Sequence, residues 1–315
     1  MIFKNKVWMG SVFCIASACL WGVSGAAGQY LFKNAGITPE WLVSTRTLLT
    51  GLFLLAFFQI KHGGVFEIWT DRRDRLQLII FTLGGMLFMQ YGYFAAINYS
   101  NAATATVLQY TAPILIVVYL ALRQKKLPSP MECVAVIGCL IGTILLATHG
   151  NLHSLSLSPA ALFWGLLSAI ALAFYTVYPT HLLSKYHTML LIGWSMLIGS
   201  FVMHFAHPSW DYAGNWSAAS VWCMIFVVVF GTMTPYLLFL NGVKYIGPTK
   251  SSLYASAEPL ASTVVSVLWL KVELEWMDYL GFVFIIATVL MLSFLKPQPQ
   301  PEPESEPKPI PKQTS

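Results

Sequence analysis

The sequence predicts an all-α polytopic membrane protein of ten transmembrane helices, arranged as two inverted five-helix repeats. Three observations predict it. Hydrophobic residues fill 57% of the 315 positions and charged ones only 10%, where a soluble domain carries about 25% charged residues. Apolar runs recur from one end of the chain to the other, each near the roughly 20 residues that span a bilayer core. The chain also aligns with itself at an offset of 146 residues. A soluble helical bundle is excluded, because it would need charged outer faces on its helices.

The expected spans, in order, are 7–32, 40–60, 76–98, 102–122, 131–148, 160–183, 189–206, 218–241, 249–270 and 276–295. The first begins like a secretory signal, with Lys4 and Lys6 before an apolar run and "ASAC" ending at Cys19. The apolar run continues past that point, so an uncleaved first helix is expected. Connections between spans are short and leave no room for a soluble domain. Residues 297–315 form a Pro/Glu-rich tail that cannot build a core and is expected to be disordered on the cytoplasmic side. The five cysteines show no C-x-x-C spacing, and His149 and His153 have no third ligand near them. No metal site and no cofactor are expected.

Lys and Arg accumulate on alternate sides of this arrangement: Lys61, Arg72, Arg73 and Arg75, then Arg123, Lys125 and Lys126, then Lys185, Lys244 and Lys296. The positive-inside rule then puts both termini in the cytoplasm. One-sided placement explains the surplus of cations, and no nucleic-acid partner is implied.

The repeat is clearest between "YSNAATATVLQYTAPILIVVYLALRQKK" and "YIGPTKSSLYASAEPLASTVVSVLWLKV", which pair Tyr99 with Tyr245 and Pro113 with Pro259 without a gap. The halves are 1–150 and 151–296. An odd number of spans in each half turns the second upside down. Inverted repeats of this kind imply a transporter with its substrate site at the midplane between them.

Certain residues also carry a family resemblance: "LWG" at Leu20–Gly22, the lone arginine of "STRTLL", "AATATVLQYTAP" and "AEPL". With them the chain resembles the drug/metabolite transporter superfamily in its EamA-type ten-helix branch. "SNAATATVLQ", "LSPAALFWG" and "GWSMLIG" are similar to the YicL-type bacterial inner-membrane members. The resemblance implies a multi-pass protein of the bacterial cytoplasmic membrane that moves a small metabolite, such as an amino acid or amine, by export. One departure is Trp194, which stands in the second repeat where Arg46 stands in the first, at the slightly longer offset that pairs Gly51 with Gly199.

The candidate site gathers around two prolines. Pro113 lies about 17 Å into its span and Pro259 equally deep from the other side, at 1.5 Å per residue. Each breaks the helical ladder, freeing the carbonyls of Gln109 and Ala255. Such paired breaks point to a binding site at the midplane. Glu258 precedes one of them, and an intramembrane carboxylate costs on the order of 3 kcal/mol. Three roles stay open for it. It can form a structural ion pair with Arg46, whose depth differs by only about 6 Å. It can carry a proton, since burial favours the neutral acid. It can contact a cationic amine directly. Tyr254, Gln109, Tyr110, Gln90, Tyr91 and Trp21 are the expected binding residues around it, suited to a small zwitterion or amine. Gly22, Gly25 and Gly28 are expected as close helix contacts.

No P-loop is present, so an ion gradient, with H+ the natural candidate, or the substrate gradient itself would drive transport. An intramembrane enzyme would need a nucleophile and base or a metal set. The sequence has no H-E-x-x-H and no G-x-S-x-G. A passive pore would show polar residues along a continuous path, whereas here they cluster at one depth.

Overall fold

The computed structural model describes residues 2–124, 130–148, 157–206, 208, 210, 214–255 and 257–293. Among them there is no strand, and helices account for nearly everything. The expected tail at 297–315, the cations Lys125 and Lys126 and the histidines His149 and His153 lie outside the described residues.

The helices are α1 (Ile2–Tyr30), α2 (Pro39–His62), α3 (Arg72–Ile80), α4 (Phe88–Tyr99), α5 (Ala102–Gln109), α6 (Ala112–Gln124) and α7 (Pro130–Thr148). They continue as α8 (Pro159–Val177), α9 (Thr180–Lys185), α10 (Thr188–Ala206), α11 (Ala218–Val228), α12 (Thr234–Tyr254), α13 (Ala257–Leu268) and α14 (Trp276–Ser293). Wider π-helical turns follow α1 at Leu31–Ala35, join α3 to α4 at Phe81–Leu87 and join α11 to α12 at Val229–Met233. Seven stretches are long and apolar enough to cross a membrane among the described residues, from Lys6–Ala35 to Ala218–Pro248.

Side-chain caps set the helix starts. Thr38 accepts the Trp41 N–H at 3.2 Å ahead of Pro39, which is pre-set for a first helical turn. Asp71 accepts from Arg73 at 2.7 Å and Asp74 at 3.2 Å, so α3 begins four residues before the expected span at 76. Asn101, Ser158 and Ser217 cap α5, α8 and α11 in the same way. The expected gap between 241 and 249 is not an open loop. The chain stays helical through it except at Gly247, whose φ of 78° suits glycine and kinks α12 just before Pro248.

The bundle is held by pairs of long helices. α1 lies along α12 and α13, α2 along α10, α4 along α8, and α7 along α14. Outward faces carry exposed apolar residues such as Leu52, Phe53 and Phe57 on α2 and Phe201 and Phe205 on α10. In water such a surface would be a liability, whereas against lipid tails it is the expected exterior.

Candidate functional site

Two of the expected spans are broken in their middle. α5 stops at Gln109 and α6 starts at Ala112, with Tyr110 and Thr111 turning between them. α12 stops at Tyr254 and α13 starts at Ala257. Pro113 is thus the second residue of α6 and Pro259 the third of α13. The first turn is where a missing N–H costs little. The same geometry accounts for Glu258, which sits in the first turn of α13, where the unpaired N–H groups favour a negative charge.

A small cavity lies beside the α13 break. Its free space is about 30 Å³, room for about two waters. Trp21 and Ser24 reach it from α1, Arg46 from α2, Gln90 and Tyr93 from α4, and Gln109 from the end of α5. Gly231, Tyr236 and Glu258 come from the second half of the chain. Arg46 and Glu258 are each only 3% exposed.

Arg46 is held by neutral groups. One of its Nη atoms donates to Gln90 Oε1 at 2.6 Å and the other to Thr232 Oγ1 at 3.4 Å. Its guanidinium carbon lies 4.3 Å from the centre of the Phe94 ring, a cation–π distance. Its Nε has no protein partner. Glu258 accepts from the Tyr110 hydroxyl at 2.8 Å. Among the described residues no carboxylate lies within 4 Å of Arg46, so the direct Arg46–Glu258 ion pair, one of the three roles open to Glu258, is not formed. The two charges share a cavity and keep separate partners. Trp21 Nε1 and Ser24 Oγ are buried without a partner among the described residues. The cavity lining therefore offers both donors, from Arg46, Trp21 and Ser24, and a carboxylate, from Glu258.

Of the expected binding residues, Glu258, Gln109, Gln90 and Trp21 line the cavity. Tyr110 is 1% exposed and supports Glu258 from behind. Tyr254 and Tyr91 do not line the cavity. Tyr254 is 37% exposed; four residues before Glu258, it would share that face on one continuous helix, but the helix breaks between them. Tyr91 is one residue beyond Gln90 and so about 100° round the helix. Its hydroxyl donates to Glu40 at 2.7 Å and its ring meets Trp164 edge-on at 5.0 Å.

Sequence reasoning missed Ser24, Tyr93 and Tyr236. Signals for them existed: Ser24 and Tyr93 stand three residues after Trp21 and Gln90, and Tyr236 is the repeat partner of Gln90 at the offset of 146. Tyr93 bonds Thr106 at 2.8 Å, which in turn donates to Ser262 at 3.2 Å, tying α4, α5 and α13 together. Gly22 is a close contact as expected: a Cβ there would lie 2.7 Å from Ser262 N and 2.8 Å from Glu258 O. α1 therefore rests on the backbone of the turn that holds Glu258.

Apolar outer faces, an all-helical bundle and a buried polar cavity define a multi-pass membrane protein. The profile of the EamA-like transporter family matches residues 8–148 and again 159–294; the chain belongs to this family. It is 38% identical over 287 residues to the uncharacterized inner membrane transporter YicL of Salmonella typhimurium, covering 90% of this chain and 95% of that one. The uncharacterized transporter YetK of Bacillus subtilis is 24% identical, with 93% and 89% covered. A transporter of Archaeoglobus fulgidus is 21% identical, with 84% and 91% covered. One solved crystal structure superposes with a TM-score of 0.65 at 16% identity, over 90% of this chain and 94% of that one. At that identity the likeness speaks for the fold alone. Family membership makes the chain a membrane transporter.

Proposed function

We propose that this protein is a secondary active transporter that exports a small zwitterion, an amino acid or related amine, by alternating access. Two inverted five-helix repeats, 1–150 and 151–296, form its ten spans, with both termini in the cytoplasm. The observation that carries this reading is the cavity itself. Among the described residues, a buried guanidinium without an acid partner and a buried carboxylate with a single side-chain donor face one space. A substrate carboxylate would meet the unpaired Arg46 Nε, Trp21 Nε1 and Ser24 Oγ, and its ammonium would meet Glu258 and Gln109.

Helix pairing supports the repeat. Under the 146-residue offset α2 corresponds to α10 and α7 to α14, and each of these pairs packs on itself. α1 corresponds to α8, and their partners α12 and α4 correspond as well. A two-fold relation between the halves produces this pattern. The π-helical turns at Phe81–Leu87 and Val229–Met233 also fall at corresponding positions; such turns recur at functional sites.

Space for about two waters is too little for a metabolite, so substrate enters only when the helices part. This favours a carrier over a passive pore, which needs a continuous path. Glu258, the buried acid of the site, is the group to carry a coupled proton between its two exposures. The test is a thermal-shift screen of purified protein against amino acids, amines, carboxylates and nucleosides, with Glu258→Gln alongside. A zwitterion that stabilises the wild type and not the variant supports the reading. A nucleoside or simple dicarboxylate that stabilises both equally would overturn the substrate assignment.

A further inference from the structure

Far from the cavity, a second buried carboxylate joins the two family-matched stretches. Asp74 is 1% exposed and lies in the first turn of α3. Its Oδ2 accepts from Lys185 Nζ at 2.5 Å and from the Tyr186 hydroxyl at 2.7 Å; its Oδ1 is 3.3 Å from His181 Nε2. All three side-chain partners come from α9 and the residue after it, in the other half of the chain. On the 1.5 Å rise, Asp74 is about 24 Å along the same helical run from Gln90. Close by in sequence, Trp194 Nε1 donates to Val65 O at 2.7 Å, and its ring meets Trp69 edge-on at 5.0 Å and Phe66 at 5.5 Å. The connection between α2 and α3 is thereby clasped by α10.

We infer that Asp74, with Lys185, Tyr186 and His181, is the latch that closes the cavity at the α3–α9 end, and that it must part each time the site opens there. This rests on the alternating-access reading above. The physical case is as follows. A carrier needs contacts between its halves at each end that are strong enough to hold one state and few enough to release together. Asp74 offers three charge-assisted or polar bonds concentrated on one carboxylate. Lys185 is half-exposed, at 46% of its side chain, so water can take over its charge when the bond opens. Asp74 sits on the helix that also carries Gln90, the acceptor of Arg46, and the π-helical turn Phe81–Leu87 lies between them. A shift of α3 at the latch is thus transmitted along one helix to the cavity.

The test uses the full chain in sealed membrane vesicles. Ser24→Cys places a thiol in the cavity, and its modification by a small charged, membrane-impermeant thiosulfonate is read as the increment over the parent without it. Reagent is applied from each face in turn, and Arg75→Cys, at an exposed position, reports which face carries Asp74. Asp74→Asn is expected to raise the rate from the Asp74 face roughly tenfold or more, since a bond to a charged group is removed. The rate from the opposite face should fall. Tyr186→Phe, which deletes one donor only, should shift both rates the same way by less, and it serves if Asp74→Asn does not reach the membrane. Unchanged rates, or rates that rise equally from both faces, overturn the latch. A Ser24→Cys thiol that reacts from neither face in any variant overturns the transport reading and the latch with it.

Discussion

Arg46 and Glu258 line one cavity without touching: the guanidinium bonds Gln90 and Thr232, while the carboxylate takes the Tyr110 hydroxyl. A buried charge without an opposite partner is expensive, and two of them side by side need a reason. Under the proposed transport cycle, a ligand that carries both signs would supply each with a partner once the helices part. The following expectations come from that arrangement and from the packing around it.

Glu258→Gln keeps the size of the side chain and an acceptor for Tyr110 while removing the charge. The variant should reach the membrane and melt close to wild type. Proton-coupled flux in vesicles, once a substrate is found, should vanish. Wild-type flux in this variant would sink both the proton and the contact role.

Arg46→Lys keeps the charge and loses the planar fork. A lysine cannot hold Gln90 and Thr232 together while stacking on Phe94. The Gln90 acceptor is then left without its 2.6 Å donor in a buried site, a loss of about 1–3 kcal/mol. Melting of the purified variant should fall accordingly, and ligand stabilisation should weaken with it. A lysine variant as stable and as responsive as wild type would show that the fork geometry is irrelevant.

Tyr110→Phe removes the one side-chain donor to Glu258 among the described residues, at the α5–α6 break. Lower stability by about 1–3 kcal/mol is expected. In a Glu258→Gln background the same change should cost less, because the bond it deletes there goes to a neutral amide rather than a carboxylate. Strict additivity in that cycle would mean the two residues are not coupled.

The sequence made the breaks legible because proline acts locally. "TAP" and "AEP" sit at matching depths, and the helices stop just before both. Glu258, Gln109, Gln90 and Trp21 were legible because a polar group or large amphipathic ring deep in an apolar run must face protein. The absence of Tyr254 and Tyr91 from the lining was not legible, since their placement depends on helix phase, which a break or a single residue step alters by about 100°. Asp74 was hidden for another reason. It stands among arginines in "DRRDR", where a solvated salt-bridged surface is the ordinary expectation, and its burial comes from α9, more than a hundred residues away. Tertiary partners of that kind leave no local trace.

Gly231 and Ser24 offer a test of how closely α1 approaches the π-helical turn at the cavity. A Cβ built on Gly231 would clash with Ser24 Oγ and lie 2.5 Å from Ser24 Cβ. The hydroxyl can rotate away, but the Cβ cannot. Gly231→Ala should therefore destabilise by about 1–3 kcal/mol through overpacking, in spite of alanine's better helix propensity. Ser24→Gly alone should cost roughly 1 kcal/mol or less from lost helix propensity. Exchanging the two, Ser24→Gly with Gly231→Ala, removes the clashing Cβ and supplies one on the facing helix. The double variant should melt above Gly231→Ala alone, although it carries one substitution more. If the second change fails to rescue the first, the contact between α1 and Val229–Met233 is looser than 2.5 Å implies. The wall that closes the cavity on that side would then yield without cost.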